Sequence, residues 1–265
     1  MVSTSKAARP GPATGTARIA GLDFDSLSEE QVVAHIGAAS ADGQGGWVAT
    51  PNIDICRQTS RDPAVLAMVK QASLVVPDGM PLIWAARLRG LPLPERVTGS
   101  SLIFAMSAEA AANGRSIYLL GGEPGVPELA ANELTRRFPG LRVAGTDAPP
   151  VGFDDRPEEL AAVSARIAQA RPDIVFVGLG FPKQERVIIE IAPDTPAAWF
   201  VACGAAIPFA AGVQPRAPRW MQQSGLEWAY RLINEPRRLF RRYLVQGVPF
   251  AARLLITSAA ARLRP

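Results

Sequence analysis

The sequence predicts a mostly parallel, doubly wound α/β sheet that is followed by an arginine-rich helical appendage. Short, continuous apolar runs alternate with longer helical segments, which is typical of parallel strands covered by helices on both faces. Two of these runs, residues 116–120 and 173–178, lead directly into glycine-containing loops and then into helices. Apolar residues make up 48% of the 265-residue chain and charged residues 20%, so the composition allows a sizeable core and excludes a disordered protein.

Composition divides the chain into three parts. Residues 1–16 are mostly Ser, Ala, Gly, Pro and Thr, so we expect a disordered tail. Residues 17–212 carry the alternating pattern of the predicted core domain, and residues 213–265 form the predicted appendage. Between residues 216 and 265, ten arginines stand against two glutamates, a local charge of +8 in a chain whose total is +4. This asymmetry indicates an anionic partner for the C-terminal part.

Few residues are available for disulfide or histidine chemistry. The two cysteines, Cys56 and Cys203, match neither a metal-binding spacing nor a disulfide scaffold, so a reducing cytoplasm fits. The single histidine, His35, lies in a predicted helix and argues against a histidine-based metal site or triad. No apolar run reaches 18 residues, so we expect no membrane-spanning helix, and the N-terminus lacks the apolar region of a secretory signal.

The predicted elements follow one another in a regular order. Each strand is an apolar run bounded by Gly, Pro or polar residues, and helices begin at capping residues or prolines. The predicted strands are residues 18–22, 47–49, 74–76, 116–120, 141–144, 173–178 and 198–202. The predicted helices are residues 28–39, 54–61, 63–72, 81–89, 126–138, 157–170, 220–234, 236–245 and 248–264. Two more are predicted: one capped by Ser100 or Ser101 that ends at Asn113, and one that opens from the stretch 178–185.

Polar side chains follow two neighbouring runs at the point where each strand ends. Thr50 and Asn52 come directly after the run at residues 47–49, and Asp78 follows the run at residues 74–76. The carboxyl ends of parallel strands are where ligands bind in such sheets, so we expect these side chains to meet in one crevice. A carboxylate in this position is a candidate general base, although Asp78 before a glycine could equally be a turn residue. Asn52 could likewise cap the next helix.

Two further loops after buried strands contain candidate ligand-binding residues. Gly121 and Gly122 stand between a strand and a helix, the layout that presents backbone N–H groups to a phosphate. The full dinucleotide fingerprint is missing, so NAD is not expected, and a tight turn explains these glycines equally well. The second loop carries the candidate substrate-binding residues Gly180, Lys183, Gln184 and Glu185. A solvated helix face is the alternative interpretation of the last two.

Seven segments carry a resemblance to known proteins: TPN, VVPDGMPLIWAARLRG, PLPERVTGS, IYLLGGEPGV, PDIVFVGLGFPKQE, AAGVQPRAP and GLEWAYRLINEPRRLFRRYL. In this order they resemble the WecG/TagA/CpsF family of glycosyltransferases. Seven ordered motifs are far more specific than any one of them. The resemblance runs from about Arg18 to Leu244 and leaves the tail and the last ~20 residues outside.

The resemblance implies a Rossmann-like fold whose C-terminal helical appendage completes the site at the membrane. It implies inverting transfer of a hexose-type sugar from a UDP-sugar to a polyprenyl-diphosphate-linked sugar, without a metal or other cofactor. The pathway implied is the synthesis of surface polysaccharide or teichoic acid. Expected partners are therefore the UDP-sugar donor, the polyprenyl-diphosphate-linked acceptor and an anionic membrane at its cytoplasmic face. Nucleic acid is not an expected partner, and a homo-oligomer away from the membrane stays open.

Motif positions assign candidate roles to single residues. Asp78 matches the proposed catalytic base of the family, and we group Thr50 and Asn52 with it as candidate catalytic residues. Without a metal, arginines can stabilise a leaving diphosphate, because their planar guanidinium binds phosphate bidentately. The same arginines could also hold a lipid diphosphate. The candidate substrate-binding residues outside the two glycine loops are Arg96, Thr98, Arg216, Arg231, Arg237 and Arg238.

Departures from the family pattern leave the donor sugar open. Residues 204–208 lack an acid that many relatives carry, and residues 148–153 lack histidines found there in many relatives. N-acetylmannosamine, its uronic acid and glucose all remain candidates. The triplet at residues 23–25, Asp-Phe-Asp, matches a metal-holding motif of other glycosyltransferases, but turn and capping chemistry is the favoured interpretation.

Proteins of other classes fit less of the sequence. A non-catalytic membrane- or nucleic-acid-binding protein would explain the arginines, since basic clusters bind phosphates whatever the sequence. It gives no reason for polar residues at strand ends. A nucleotide-sugar dehydrogenase would need a dinucleotide fingerprint that is not found. We expect Trp84, Trp220 and Trp228 to be packing residues rather than sugar platforms.

Overall fold

The computed structural model describes residues 15–218, 220–221 and 225–262, with the side chain of Arg238 outside that description. Nearly all of the predicted disordered tail, residues 1–16, therefore lies outside the described residues. The same holds for residues 222–224, which belong to the predicted helix at 220–234. The predicted division into a core and an appendage at residue 212 stays a prediction.

A parallel sheet of six strands forms the centre of the part of the chain that the structure describes. Its strands are β3 (Gly46–Ala49), β4 (Leu74–Val75), β5 (Ser116–Leu120), β6 (Arg142–Asp147), β7 (Ile174–Val177) and β8 (Trp199–Ala202). They lie in the order β4-β3-β8-β7-β5-β6, and every neighbouring pair is parallel. All carboxyl ends therefore lie at one edge of the sheet.

Helices connect the strands and cover both faces of the sheet, which confirms the predicted α/β architecture. They are α1 (Glu29–Ala41), α2 (Ile53–Thr59), α3 (Pro63–Val69), α4 (Met80–Arg89), α5 (Gly99–Ala112), α6 (Val126–Arg137), α7 (Pro157–Ala170), α8 (Lys183–Ile191) and α9 (Ala206–Ala210), with short 3₁₀ turns at Phe153–Asp155 and Ala192–Asp194. Successive strand residues alternate between two hydrophobic clusters. Val175 and Phe200 belong to one, Ile174 and Val201 to the other. Burial on both faces explains why the strands are continuous apolar runs.

The first predicted strand, residues 18–22, is wrong in detail, because the chain turns back in its middle. Strands β1 (Thr16–Ile19) and β2 (Leu22–Asp25) form an antiparallel hairpin outside the main sheet. The turn lies at Ala20 and Gly21, which both have positive φ angles, 50° and 83°. Asp25 attaches the hairpin to the main sheet, since its Oδ2 accepts a 2.8 Å hydrogen bond from the backbone N–H of Val75.

The C-terminal segment, residues 225–262, is largely helical and packs against α2 and α4. It consists of α10 (Glu227–Asn234), α11 (Pro236–Phe240), a π-helical stretch (Arg241–Gly247) and α12 (Val248–Arg262). Helix α12 packs chiefly against α4 and contributes Leu254 to the same hydrophobic cluster as Phe200. An ion pair of 2.8 Å between Arg242 Nε and Asp54 Oδ2 joins the π-helical stretch to α2.

One element of the C-terminal segment bears on the expectation of no membrane-spanning helix, which stays a prediction. Among the described residues, the helix at Arg241–Arg262 is long and apolar enough to cross a membrane, judged by length and composition alone. Arg253 stands in the middle of this helix, so the sequence has no uninterrupted apolar run of 18 residues there. Its contacts with α4 show that one side of this helix is occupied by the protein itself.

Candidate active site

The carboxyl edge of the sheet brings together the loops that follow β3, β4 and β8. The backbone N–H of Asp78 donates a 3.0 Å hydrogen bond to the carbonyl of Pro51, which joins the loops after β4 and β3. Thr50 Oγ1 donates to the carbonyl of Ala202 at 3.2 Å, which joins β3 to β8. The structure thus places Thr50, Asn52 and Asp78 at neighbouring strand ends, as the sequence predicts.

Thr50 and Asn52 have structural contacts of their own at this edge. Thr50 is buried against β8. Asn52 is the N-cap of α2, because its Oδ1 accepts hydrogen bonds from the backbone N–H groups of Asp54 and Ile55 at 3.0 and 3.1 Å. The capping alternative for Asn52 is therefore realised, and its catalytic role stays a prediction.

Asp78 lies half-buried near several charged side chains, and we call Asp78 together with Arg96, Arg216, Glu227 and Arg231 the crevice. Burial raises the pKa of Asp78 to about 6. Of the neighbouring charges, Arg96 lowers this pKa most and Glu227 raises it further, while Arg231 and Arg216 also lower it. Within the described part of the chain, no Lys or Arg nitrogen lies within 4.0 Å of the Asp78 carboxylate. The carboxylate is thus near arginines without being bound to one of them, and its pKa suits a general base near neutral pH.

Glu227 is a residue of this crevice that the sequence analysis missed. Its Oε2 lies 2.9 Å from Arg96 NH1, and its Oε1 lies 3.8 Å from Arg216 Nε. Arg216 also donates through NH1 to the carbonyl of Ser100 at 3.2 Å. A signal was available, since Glu227 is one of only two acids among the ten C-terminal arginines.

The predicted diphosphate arginines of the C-terminal segment have different surroundings. Arg231 is half-buried, influences the pKa of Asp78, and lies with its guanidinium 6.0 Å from the ring centre of Phe209. Its Nε is buried without a hydrogen-bond partner among the described residues. Arg237 is exposed, and the side chain of Arg238 lies outside the described residues. The structure therefore brings Arg231 to the crevice and leaves the roles of the other two as predictions.

Gln184 and Glu185 are buried, so the alternative of a solvated helix face is wrong. Gln184 Oε1 accepts from the backbone N–H groups of Gly180 and Gly204 at 3.2 and 3.0 Å, which joins the loops after β7 and β8. Its Nε2 donates to Glu185 Oε1 at 2.9 Å. Burial raises the pKa of Glu185 to about 7. Lys183 points to a different partner, since its Nζ lies 2.8 Å from Asp154 Oδ1.

Thr98, rather than Ser100 or Ser101, caps α5. Its Oγ1 accepts from the backbone N–H of Ser101 at 3.0 Å, so the helix begins at Gly99, earlier than predicted. The loop before it adjoins the site, because Val97 N–H donates to the carbonyl of Pro77 at 2.9 Å. Gly99 is required here, since a Cβ at this position would lie 2.6 Å from Cys203 Cα.

The glycine loop after β5 is packed against a neighbouring loop. A Cβ on Gly121 would lie 2.7 Å from the carbonyl oxygen of Gly178, and the φ angles of Gly121 and Gly122 are 111° and 98°. Close backbone packing therefore explains Gly121 directly. Phosphate binding by this loop stays a prediction.

The acidic triplet at residues 23–25 has structural partners. Asp23 forms a 3.6 Å ion pair with Arg18, and Asp25 bonds to Val75 as described above. Phe24 is fully buried. No group of three or more His, Cys, Asp or Glu side chains that could hold a metal occurs among the described residues.

Three tryptophans are more exposed than a packing role predicts. The exposed fractions of Trp84, Trp220 and Trp228 are 40%, 62% and 40%. Trp220 and Trp228 lie in or near the C-terminal segment, where further large apolar side chains are exposed. They are therefore available to a partner.

Comparison with known proteins identifies the family of the chain. The model of the glycosyl transferase WecG/TagA/CpsF family matches residues 17–264. The chain belongs to this family. It is therefore a glycosyltransferase, and the non-catalytic alternative is set aside. The match extends to residue 264 and so includes nearly all of the stretch after Leu244 that the seven motifs leave outside the resemblance.

Several relatives of the chain carry the name N-acetylglucosaminyldiphosphoundecaprenol N-acetyl-beta-D-mannosaminyltransferase. The protein of Bacillus spizizenii is 30% identical over 224 residues, which cover 84% of this chain and 84% of the relative. The proteins of Staphylococcus aureus strains MW2 and NCTC 8325 are each 30% identical over 230 residues, which cover 86% of this chain and 88% of the relative.

Proposed function

We propose that this protein is an inverting, metal-independent transferase that moves a hexose-type sugar from a UDP-sugar to a polyprenyl-diphosphate-linked sugar, with Asp78 as general base. The observation that carries the proposal is the position of Asp78. It lies at a strand end, its pKa is raised to about 6, and Arg96, Arg216 and Arg231 act on it electrostatically, although none of them forms an ion pair with it among the described residues. Such a carboxylate is ionised near neutral pH and free to accept a proton.

The proposed reaction is a displacement at the anomeric carbon of the donor sugar. The acceptor hydroxyl oxygen forms a bond to this carbon, and the bond from the carbon to the UDP oxygen breaks. The bonding electrons leave with UDP. Asp78 takes the proton of the acceptor hydroxyl as the new bond forms, which leaves a neutral aspartic acid until the proton passes to solvent.

The leaving diphosphate needs positive charge in a site without a metal. Arg96, Arg216 and Arg231 are the cations that act on Asp78, so they lie within electrostatic reach of the reacting atoms. Guanidinium groups fixed before the reaction stabilise developing negative charge without having to reorganise. We assign these three arginines to the diphosphate, with Arg237 and Arg238 as further candidates for the donor or the lipid acceptor.

The names of the relatives favour one pair of substrates. They act on an N-acetylglucosaminyl-diphospho-undecaprenol acceptor and transfer an N-acetylmannosaminyl group. We propose the same acceptor class here, in the synthesis of a cell-surface polymer, with UDP-N-acetylmannosamine as the first donor to test. The uronic acid and glucose donors remain in the proposal because residues 204–208 lack the acid that many relatives carry.

The C-terminal segment supports a location at the cytoplasmic face of the membrane. Exposed apolar side chains, Phe240, Val245, Val248 and Ile256 among them, share this segment with exposed arginines such as Arg253. Apolar residues interleaved with arginines suit the surface of an anionic bilayer, where the lipid-linked acceptor is held.

The test measures UDP release with a panel of UDP-sugars and anionic liposomes that carry a polyprenyl-diphosphate-linked N-acetylglucosamine. Wild type is compared with Asp78→Asn and, as a matched control, with Asp62→Asn, because Asn can replace Asp62 as the N-cap of α3. We expect Asp78→Asn to lower the rate by ~10²–10⁴, the usual contribution of a positioned base, and Asp62→Asn to leave it unchanged. EDTA should have no effect.

Three results would count against parts of the proposal. Equal UDP release by Asp78→Asn would remove Asp78 from the chemistry. Loss of activity in EDTA would contradict the metal-independent reaction. Liposome binding without UDP release from any donor would contradict the assigned substrates.

A further inference from the structure

Glu227 is the acidic side chain that connects the C-terminal segment to the crevice around Asp78. It stands at the first position of α10 and reaches two arginines from other parts of the chain. Its two carboxylate oxygens are divided between Arg96, at 2.9 Å, and Arg216, at 3.8 Å. All three side chains are largely buried, with exposed fractions of 12% for Glu227, 16% for Arg96 and 23% for Arg216.

Largely buried guanidinium groups need a counter-ion, because removing a charge from water costs free energy unless it is paired. Three carboxylates lie within electrostatic reach of Arg216, namely Glu227, Glu29 and Asp78. Two of them, Glu227 and Asp78, also lie within reach of Arg96. The contacts in the structure go to Glu227, whereas Asp78 has no ion pair among the described residues. Glu227 thus neutralises the arginines in place of Asp78.

We propose that Glu227 is a positioning residue that holds Arg96 and Arg216 away from the Asp78 carboxylate, so that this carboxylate stays free to act as a base. The proposal rests on the catalytic role of Asp78 proposed above. By this proposal the C-terminal segment has a second role besides membrane binding. When α10 docks, it brings the Glu227 carboxylate to Arg96 and Arg216, which leaves the Asp78 carboxylate without an ion pair among the described residues.

Removing the charge of Glu227 has two effects on Asp78, and they act in the same direction. Glu227 itself raises the pKa of Asp78, so its loss lowers that pKa. Arg96 and Arg216 would then lose the Glu227 carboxylate, and Asp78 is the other carboxylate within electrostatic reach of both. A close opposite charge lowers the pKa of a carboxyl group by about 1–3 units. A carboxylate with a lower pKa is a weaker base.

The other charged groups near these residues do not reverse the expected decrease in the pKa of Asp78. Arg231 also lowers the pKa of Asp78 and would continue to do so. Glu29 acts on Arg216 but is not among the groups that shift Asp78. The backbone N–H of Glu29 donates a 2.7 Å hydrogen bond to Oε1 of Glu95, the residue that precedes Arg96 in the chain.

The experiment compares the pH dependence of kcat/KM for full-length wild type, Glu227→Gln and Glu227→Asp with the liposome assay. Glu133→Gln is the matched control, because Glu133 forms an exposed ion pair with Arg136 on α6, outside the crevice. For wild type we expect kcat/KM to fall as the pH drops through about 6. In Glu227→Gln this fall should shift to lower pH by about 1 unit or more.

The kinetic constants provide a second readout. At pH 8 the kcat of Glu227→Gln should be roughly ten-fold below that of wild type, a part of the ~10²–10⁴ contribution of a positioned base, with a smaller change in KM. Glu227→Asp keeps the charge and should retain the wild-type pH dependence. Glu133→Gln should match wild type in every respect.

An unshifted pH dependence in active Glu227→Gln would overturn the proposal for Glu227 while leaving Asp78 as the base. Thermal unfolding checks that each variant is folded. If Glu227→Gln fails to fold, Glu227→Asp decides alone, and a downward shift in this charge-retaining variant would overturn the proposal. Absence of transfer by wild type with every donor would instead count against the proposed function itself.

Discussion

At the scale of single residues, the protonation state of Asp78 determines when the proposed reaction can proceed. Its pKa is raised to about 6, chiefly by burial. The carboxylate therefore exists above this pH and is lost as the pH falls through it. We predict that kcat/KM of wild type declines tenfold per pH unit well below pH 6, because one proton inactivates the base.

The measurement is a pH series from 4.5 to 8.5 with saturating acceptor liposomes. A flat profile through pH 6 would contradict the assignment of this base. Residual activity of Asp78→Asn should lack the decline, since no carboxyl group titrates at that position.

Glu185 makes a separate prediction about stability. Burial raises its pKa from 4.5 to about 7 in the folded chain. Between these two values the folded state keeps a proton that the unfolded state has lost, so the free energy of unfolding decreases as the pH rises through this window and then levels off. The loss attributable to Glu185 is on the order of 3 kcal/mol, from about 1.4 kcal/mol per pKa unit.

Urea unfolding at pH 4.5, 5.5, 6.5 and 7.5 measures this effect. Glu185→Gln keeps the shape of the side chain but removes the titration, so its stability should depend less on pH than that of wild type. The pKa of Asp78 is raised within the same range, but Asp78 is present in both proteins. The difference between their stability curves therefore reports on Glu185. Parallel curves for both proteins would contradict the buried, neutral Glu185.

At the scale of the elements, the sequence predicted the parallel strands well because each is a short apolar run that is buried on both faces. Local turn chemistry was harder to predict. The run at residues 18–22 looks like one strand, but the left-handed conformation of Ala20 and Gly21 turns it into a hairpin. Thr98 caps α5 although Ser100 and Ser101 also carry a suitable hydroxyl. Which of these residues caps the helix depends on the loop that enters it.

Asn52 illustrates how a helix cap and a catalytic role can be separated. Its Oδ1 accepts from two N–H groups at the start of α2, and Ser can provide an equivalent cap. We predict that Asn52→Ala lowers the free energy of unfolding by about 1 kcal/mol, whereas Asn52→Ser lowers it by only a few tenths. Urea unfolding measures both values.

The activity of the same two variants then decides the role of Asn52. If Asn52 contacts substrate, Asn52→Ser should lose activity while keeping its stability. If the side chain only caps α2, the activity of Asn52→Ser should equal that of wild type.

At the scale of the whole molecule, the candidate site contains residues from distant parts of the chain. Polar residues at strand ends can be predicted from sequence, because topology places those ends together. The pairing of Glu227 with Arg96 could not, because 131 positions separate the two residues and α10 must first dock. The same holds for Arg242 and Asp54, and for Gln184, whose amide joins two loops. Polar and charged residues that look like surface residues in the sequence become buried through such contacts.

The docked C-terminal segment leaves a set of apolar side chains exposed, and this leads to a prediction about membrane binding. Ile256 on α12 is 70% exposed, while Leu254 two positions earlier is buried in the core. If the exposed side of α12 enters the bilayer interface, Ile256→Ser should weaken binding to anionic liposomes roughly ten- to hundred-fold, because burying an isoleucine side chain contributes about 1.5–3 kcal/mol.

Cosedimentation with liposomes of graded anionic lipid content measures this affinity. Val151→Ser is the matched control, since Val151 is 96% exposed on a loop that lies far from α12 in sequence. This control should bind as wild type does. Equal binding of Ile256→Ser and wild type would mean that the exposed side of α12 does not enter the bilayer, and the arginines of the segment alone would then have to hold the enzyme at its lipid-linked acceptor.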